Sequence, residues 1–408
     1  VPYLDISNSG WTDLPTSFCG KSDPRLKTLI LSGNKIPMDK LVSCLSGSQN
    51  LQKLVVSNSK LTDNKVPFSD MPNLQHLDLS QNELTKWPSM NVLTGLLKLN
   101  LSNNPMLKVS LSANAFDDRN LILLRELRID NCAFYGQFPA SISLLTQLVS
   151  LNASGNLFTA IPNSIQAMGL REFDFSRNEL VIIPSDTVFA NLTSLVFFSI
   201  ASNPTLSGQM IPMFWTRITN MDRVIKLKID VSNCGFLGPT QINLPAAMLD
   251  TLNISHNYLG GAVPSLFNSG TGTVLNFDAS HNRFVVMFSQ SFSSNANSFD
   301  VSYNQISGSL ANKLPASLVT LKINNNQFTG DLPYIPPGMR TFSAENNQFS
   351  LCTARDTFSY LTTCNLSNNA CPGVRNCPKV FASTKCQTSN TPACRADHLS
   401  LVECVLPP

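Results

Sequence analysis

Residues 74–84 read Leu74-Gln75-His76-Leu77-Asp78-Leu79-Ser80-Gln81-Asn82-Glu83-Leu84. Apolar side chains hold the first, fourth, sixth and eleventh places of this stretch, and an asparagine holds the ninth. The Leu77-x-Leu79 alternation puts two apolar groups on one face of a short strand. The same frame returns as Leu26, Leu29, Leu31, Asn34 and Ile36, as Leu170, Phe173, Phe175, Asn178 and Leu180, and as Leu318, Leu321, Ile323, Asn326 and Phe328. The ninth position can be followed through Ser9, Asn34, Ser59, Asn82, Asn104, Cys132, Asn156, Asn178, Asn203, Cys234, Asn257, Asn282, Asn304, Asn326 and Asn347. That makes about fifteen units, spaced 21 to 31 residues apart. Such a period marks a solenoid, in which a unit buries its apolar face only against its neighbours. One strand per unit must add in parallel to the last, and the remainder of the unit supplies the crossover.

The ninth-position amide is expected to turn inward at the end of each strand. There it has donors and an acceptor for backbone groups that would otherwise be buried without partners. Cys132 and Cys234 occupy the same place and read as buried thiols without chemistry of their own. Around Cys234 the run 224–231 gives no clean first position, which predicts a bulge or a longer strand.

The outer half of the unit carries a second signature. A proline follows the ninth position by six or seven residues at Pro15, Pro88, Pro139, Pro162, Pro184, Pro264 and Pro333. The clearest copy is Phe134-Tyr135-Gly136-Gln137-Phe138-Pro139, and Leu259 to Pro264 and Phe328 to Pro333 are similar. These segments resemble the L-x-G-x-I-P stretch of the plant-type extracellular leucine-rich-repeat family, over residues 1 to 350. The resemblance implies a leucine-rich-repeat solenoid of the α/β horseshoe or superhelix type, with a parallel sheet on its concave face. The family includes receptor ectodomains and secreted inhibitors of wall-degrading hydrolases.

Composition narrows the function classes. Charged residues make up 13% of the 408 positions and the net charge is +3, so nothing points to nucleic acid. No apolar run approaches the roughly 18 residues that span a bilayer. The chain begins at Val1-Pro2-Tyr3-Leu4, already a repeat strand, and the expectation is that capping residues precede it and that a membrane anchor is possible outside this segment. No glycine-rich phosphate loop, nucleophile elbow or H-E-x-x-H motif is present, and four histidines leave little for acid–base or metal chemistry. The reading is therefore a protein that is not an enzyme and needs no cofactor.

The eleven cysteines fall into three sets. Cys19 and Cys44 share one phase in adjacent units and are expected to pair. Cys132 and Cys234 belong to the ladder. Cys352, Cys364, Cys371, Cys377, Cys386, Cys394 and Cys404 lie in a Ser-, Thr-, Asn- and Pro-rich segment, 352–408, expected to be a disulfide-held C-terminal cap following a solenoid of residues 1–351. Disulfides and five sequons agree on an extracellular, secreted or cell-surface setting. Asn191 and Asn365 are expected off the strands and are the better glycan acceptors; Asn100, Asn152 and Asn253 arise from the repeat's own L-N-x-S pattern.

The exposed face offers positions 3, 5, 7 and 8. Position 7 is mostly Ser and position 5 often Asp or Asn, Asp278 and Asp300 among them. His256, His281 and Tyr303 occupy position 8 in successive units and should stack as a row, a candidate ligand patch. The charged group Glu126, Arg128, Asp130, Glu172, Asp174 and Arg177 reads as solvated. A long insertion from Pro204 to Met221 places Phe214 and Trp215 either in a candidate partner-binding loop or in a short convex-side helix packed on the core. The function expected is recognition or adhesion through the concave face and loops, with a protein, peptide or glycan ligand. The alternatives are a structural glycoprotein of a coat, wall or filament, which would contact copies of itself or other surface proteins, and a secreted inhibitor of a hydrolase.

Overall fold

The computed structural model describes residues 2–15, 25–62, 71–87, 93–117, 121–212, 214, 227–238, 248–263, 273–287, 295–310, 314–351, 361–370 and 386–387. The chain divides into two compact units, Val1–Leu206 and Ser207–Pro408.

In the first unit, three-residue strands stack in parallel and in chain order. They are Tyr3–Asp5, Thr28–Ile30, Lys53–Val55, His76–Asp78, Lys98–Asn100, Glu126–Arg128, Ser150–Asn152, Glu172–Asp174 and Phe197–Ser199. The register never slips: position 3 faces position 3 and position 5 faces position 5 throughout. The middle residue of each strand is position 4, and from Leu29 to Phe198 it is buried. Aromatic side chains thicken the core where the leucines give way. Phe173 stacks on Phe175 at 4.8 Å and on Phe198 at 5.5 Å, while Phe138 meets Phe158 and Phe175 edge-on at 5.1 and 5.0 Å.

The second unit repeats the plan with Leu227–Asp230, Met248–Asn253, Thr273–Asp278, Ser298–Asp300, Thr320–Lys322, Thr341–Ser343, Thr363–Asn365 and Cys386–Gln387. The irregularity expected near Cys234 is a register shift between Leu227 and Lys228, with Asp250 the extra residue on the partner strand. A second parallel sheet runs along the outer half of these coils: Gly260–Ala262, Arg283–Val286, Ser307–Ser309, Gln327–Asp331 and Gln348–Leu351. The first unit has a short counterpart in Tyr135–Gln137 and Leu157–Ala160. Three of these strands, Tyr135–Gln137, Gly260–Ala262 and Gln327–Asp331, lie in the L-x-G-x-I-P segments; Gly136 and Gly330, at φ 83° and 80°, make the left-handed kink that a side chain would oppose.

The ladder behaves as its chemistry requires. Asn82 Oδ1 accepts the amides of Ser59 and Leu61 from the preceding coil at 2.9 and 3.0 Å. Its Nδ2 donates to the carbonyls of Val56, Leu79 and Ser80 at 2.7, 2.9 and 3.2 Å. Asn257 repeats this arrangement in the second unit. Cys132 can only donate weakly, its Sγ reaching the Leu101 carbonyl at 3.1 Å. It is a buried free thiol, and burial pushes its pKa up to about 12. Cys234 is buried in the same way, its Sγ 3.3 Å from the Ser232 carbonyl.

The coil pattern extends past the point where the sequence reading ends it. Thr363–Asn365 pairs in register with Thr341–Ser343, and Asn369 Oδ1 accepts the Phe349 amide while its Nδ2 donates to the carbonyls of Ala344, Leu366 and Ser367. Cys364 takes the place of the position-4 leucine and is buried, which hid the unit from the leucine frame. The 352–408 segment is described only at 361–370 and 386–387, where it continues as coil. Asn365 accordingly lies on a strand, not off it.

Candidate functional site

The strand face is built from positions 3, 5, 7 and 8, and these are not equivalent. Where position 5 is Asp or Asn and position 7 is Ser, both are spent on the coil itself. Asp78 Oδ1 accepts the Ser80 amide at 2.9 Å. Asn100 Oδ1 accepts both the amide and the hydroxyl of Ser102, at 3.1 and 2.7 Å. The same turn closes at Asn152–Ser154, Asp174–Ser176, Asp230–Ser232, Asn253–Ser255, Asp278–Ser280, Asp300–Ser302 and Asn365–Ser367. The recurring D/N-x-S is thus a side-chain turn that satisfies the amide leaving the strand.

Position 8 follows in left-handed backbone in every described coil. Non-glycine residues take φ between 51° and 57° there, from Asn8 and Asn58 to Arg177, His256, Tyr303 and Asn368. This turn lets position 9 point inward. It carries a steric cost of about 1–2 kcal/mol for most side chains, least for asparagine. His256, His281 and Tyr303 bear that cost and are exposed. Their rings stack in a row as their phase requires: His256 on His281 at 4.1 Å and 11°, His281 on Tyr303 at 4.2 Å and 10°. Amides continue the row, Asn346 donating to Asn325 at 2.9 Å and Asn368 to Asn346 at 2.7 Å. Burial, then His256, holds the His281 imidazole below its ordinary pKa; Asp300 and Asp278 oppose that shift.

Asp278 and Asp300 stand in register on adjacent strands beside this row. Burial raises the Asp278 carboxyl above its usual range, its turn to Ser280 lowers it and Asp300 raises it further. Asp300 Oδ2 is held by Lys322 Nζ at 3.2 Å. Both acids therefore have one oxygen committed to a serine.

Of the two readings of the insertion, Phe214 follows the packed one. Phe214 is fully buried; its ring lies in the core and offers a partner no surface. Ile211 is buried with it, whereas Met210 is exposed. Trp215 lies outside the described residues. So do Cys19, Cys352, Cys371, Cys377, Cys394 and Cys404, while Cys44 and Cys364 are disulfide-bonded. Asn191 is exposed at the end of the short helix Asp186–Ala190, away from the strands.

The charged group of the first unit is partly interior. Asp130 takes position 7 and is buried, with Arg128 Nε 3.5 Å from its Oδ1 and Asn131 donating to Oδ2. A further row went unremarked in the sequence, although counting position 3 reveals it: Lys53, His76, Lys98, Glu126, Ser150, Glu172 and Phe197 lie side by side. Lys98 Nζ meets Glu126 Oε2 at 2.7 Å. Among the described residues no three His, Cys, Asp or Glu side chains gather as a metal site, and no helix is long and apolar enough to cross a membrane.

Comparison with known proteins agrees with this geometry. The family model described as Leucine Rich Repeat matches residues 73–92, the stretch that opened the reading. The leucine-rich repeat-containing G-protein coupled receptor 5 of Rattus norvegicus is 30% identical over 155 residues, 37% of this chain and 16% of the receptor. Lumican of Rattus norvegicus is 25% identical over 57% of this chain and 72% of its own. The chain spans only a small part of the first of these relatives. Among solved structures, the Arabidopsis receptor kinase HAESA, in complex with the peptide hormone IDA and the co-receptor SERK1, superposes with TM-score 0.67 at 21% identity, over 96% of this chain and 73% of that one. A leucine-rich-repeat protein of Leptospira interrogans gives 0.66 at 23%, over 90% of both. The fold shared with these structures is a leucine-rich-repeat solenoid.

Proposed function

We propose that the chain is an extracellular, non-catalytic recognition module that holds a peptide or protein ligand on its strand face. One observation carries this reading. The consensus polar groups at positions 5 and 7 are consumed by the coil's own turns, whereas positions 3 and 8 vary and carry exposed or half-exposed His, Tyr, Lys and Glu side chains. Variation confined to the positions that face outward is what a recognition surface needs. The fold shared with HAESA, whose structure includes a peptide hormone, supports the ligand class. Disulfides at Cys44 and Cys364 support an oxidising compartment. In this reading Cys44 pairs with Cys19, the cysteines of 352–408 close the array, and Asn191 carries glycan where it leaves the strands clear.

The test is to block position 3. Ser150→Trp, within the first unit, should remove binding of peptides from the source's culture medium, measured on the immobilised chain. Asn191→Trp should leave it. Equal binding by both variants, each with unchanged circular dichroism, overturns the reading.

A further inference from the structure

We propose that Lys53, His76 and Lys98 form a subsite for an anionic group of the ligand on the strand face of the first unit, an inference that rests on the function proposed above. The three residues are directly opposite one another on adjacent parallel strands, about 4.8 Å apart per step. Like charges set opposite each other across strands are destabilising. The protein does little to relieve them. Glu126 Oε2 neutralises Lys98 alone. Asp78, the carboxylate on the His76 strand, is occupied on both oxygens, by the Ser80 amide and by Asn100 Nδ2 at 3.1 Å. Among the described residues Lys53 and His76 make no ion pair. The fold therefore keeps Lys53 and His76 side by side with no ion-pair partner among the described residues, and a ligand oxyanion bridges them.

His76 is half-buried, between a lysine on the preceding strand and another on the next. Burial first, then Lys98 and Lys53, hold its imidazole below the ordinary histidine pKa, with Glu126 opposing. Unliganded, the ring is neutral near pH 7. An anion seated on it favours the protonated ring, so binding takes up a proton and tightens as pH falls. One negative group bridging His76 and either lysine satisfies the row, whether a carboxylate or a sulfate or phosphate ester.

The experiment uses the full chain and follows the imidazole signals by NMR during titration with three capped probes: Ser-Glu-Ser, Ser-sulfotyrosine-Ser and the neutral Ser-Gln-Ser. Both anionic probes should shift His76 and leave His256 and His281 unmoved, and the stronger of the two names the group. Affinity should rise between about pH 7.5 and about pH 5.5. Lys53→Gln or Lys98→Gln should weaken binding about two- to fivefold, the range of partly exposed ion pairs. His76→Gln should keep residual binding and lose its pH dependence. Equal binding of the neutral probe, no shift of His76 with either anion, or a pH dependence that survives in His76→Gln would overturn the subsite. Such a failure is distinct from failure of strand-face recognition, which the tryptophan variants read with any ligand.

Discussion

Replacing Asn82 by alanine tests the ladder at a rung that makes five hydrogen bonds. The substitution removes one acceptor and two donors from the interior. It strands the amides of Ser59 and Leu61, whose hydrogen bonds end on Asn82 Oδ1. It also takes a donor from the carbonyls of Val56 and Leu79. A buried polar group left without a partner costs about 1–3 kcal/mol, so the two amides alone give a loss of about 2–6 kcal/mol. The neighbouring Gln81 is the control, since it is exposed at position 8 and its left-handed φ of 57° is equally unfavourable for alanine. Gln81→Ala should therefore change stability by less than about 1 kcal/mol. Urea unfolding of both variants gives the difference. Hydrogen exchange gives its location, because in a stacked array the loss should centre on the coils of Lys53–Val55 and His76–Asp78. If Asn82→Ala costs no more than Gln81→Ala, or if protection is lost evenly along the chain, the shared-interior argument fails.

Other outcomes follow from the same geometry. Phe173→Ala empties a site between Phe175 and Phe198 and should cost about 3–5 kcal/mol in urea unfolding; a cost below about 1 kcal/mol would mean the rings do not pack as described. His76 and His281 both have lowered pKa values in the folded chain. The unfolded chain therefore binds more protons just below the ordinary histidine value, and stability should fall as pH drops through that range. The double variant His76→Gln with His281→Gln should flatten the pH dependence of the melting temperature there, and an unchanged slope would exclude the histidines as its source. Cys132, with its thiol at about 12 and its side chain buried, should resist iodoacetamide in the native protein and react in urea, read by peptide mass; native labelling would refute its burial.

Much of this was legible because the repeat has a phase. Once Asn82 fixes position 9, Leu77 and Leu79 are core, and His256, His281 and Tyr303 must share a row; the stacked rings follow from counting. The L-x-G-x-I-P segments were plain as a motif, but the second strand that they form was not read from them. What escaped had other physical causes. A left-handed position 8 is legible where it holds Asn or Gly but not where it holds Gln81, Arg177 or Tyr303, because there tertiary stacking overrides local preference. The meaning of L-D-L-S was half visible: the consensus was plain, but not that the Asp spends an oxygen on the following Ser. The coil at Leu361–Asn369 was lost because Cys364 replaces the leucine that defines the frame. Phe214 stayed undecided because an apolar run in an insertion reads the same whether it turns outward or packs inward.

Photo-crosslinking addresses the proposed recognition face directly. Benzoylphenylalanine placed singly at Glu172, Thr320 or Tyr303 should capture peptide ligand from the source medium, and the same group at Leu144 or Asn191 should not. Capture only from Leu144 or Asn191 would put the ligand on the outer half of the coils and contradict the assignment of positions 3 and 8.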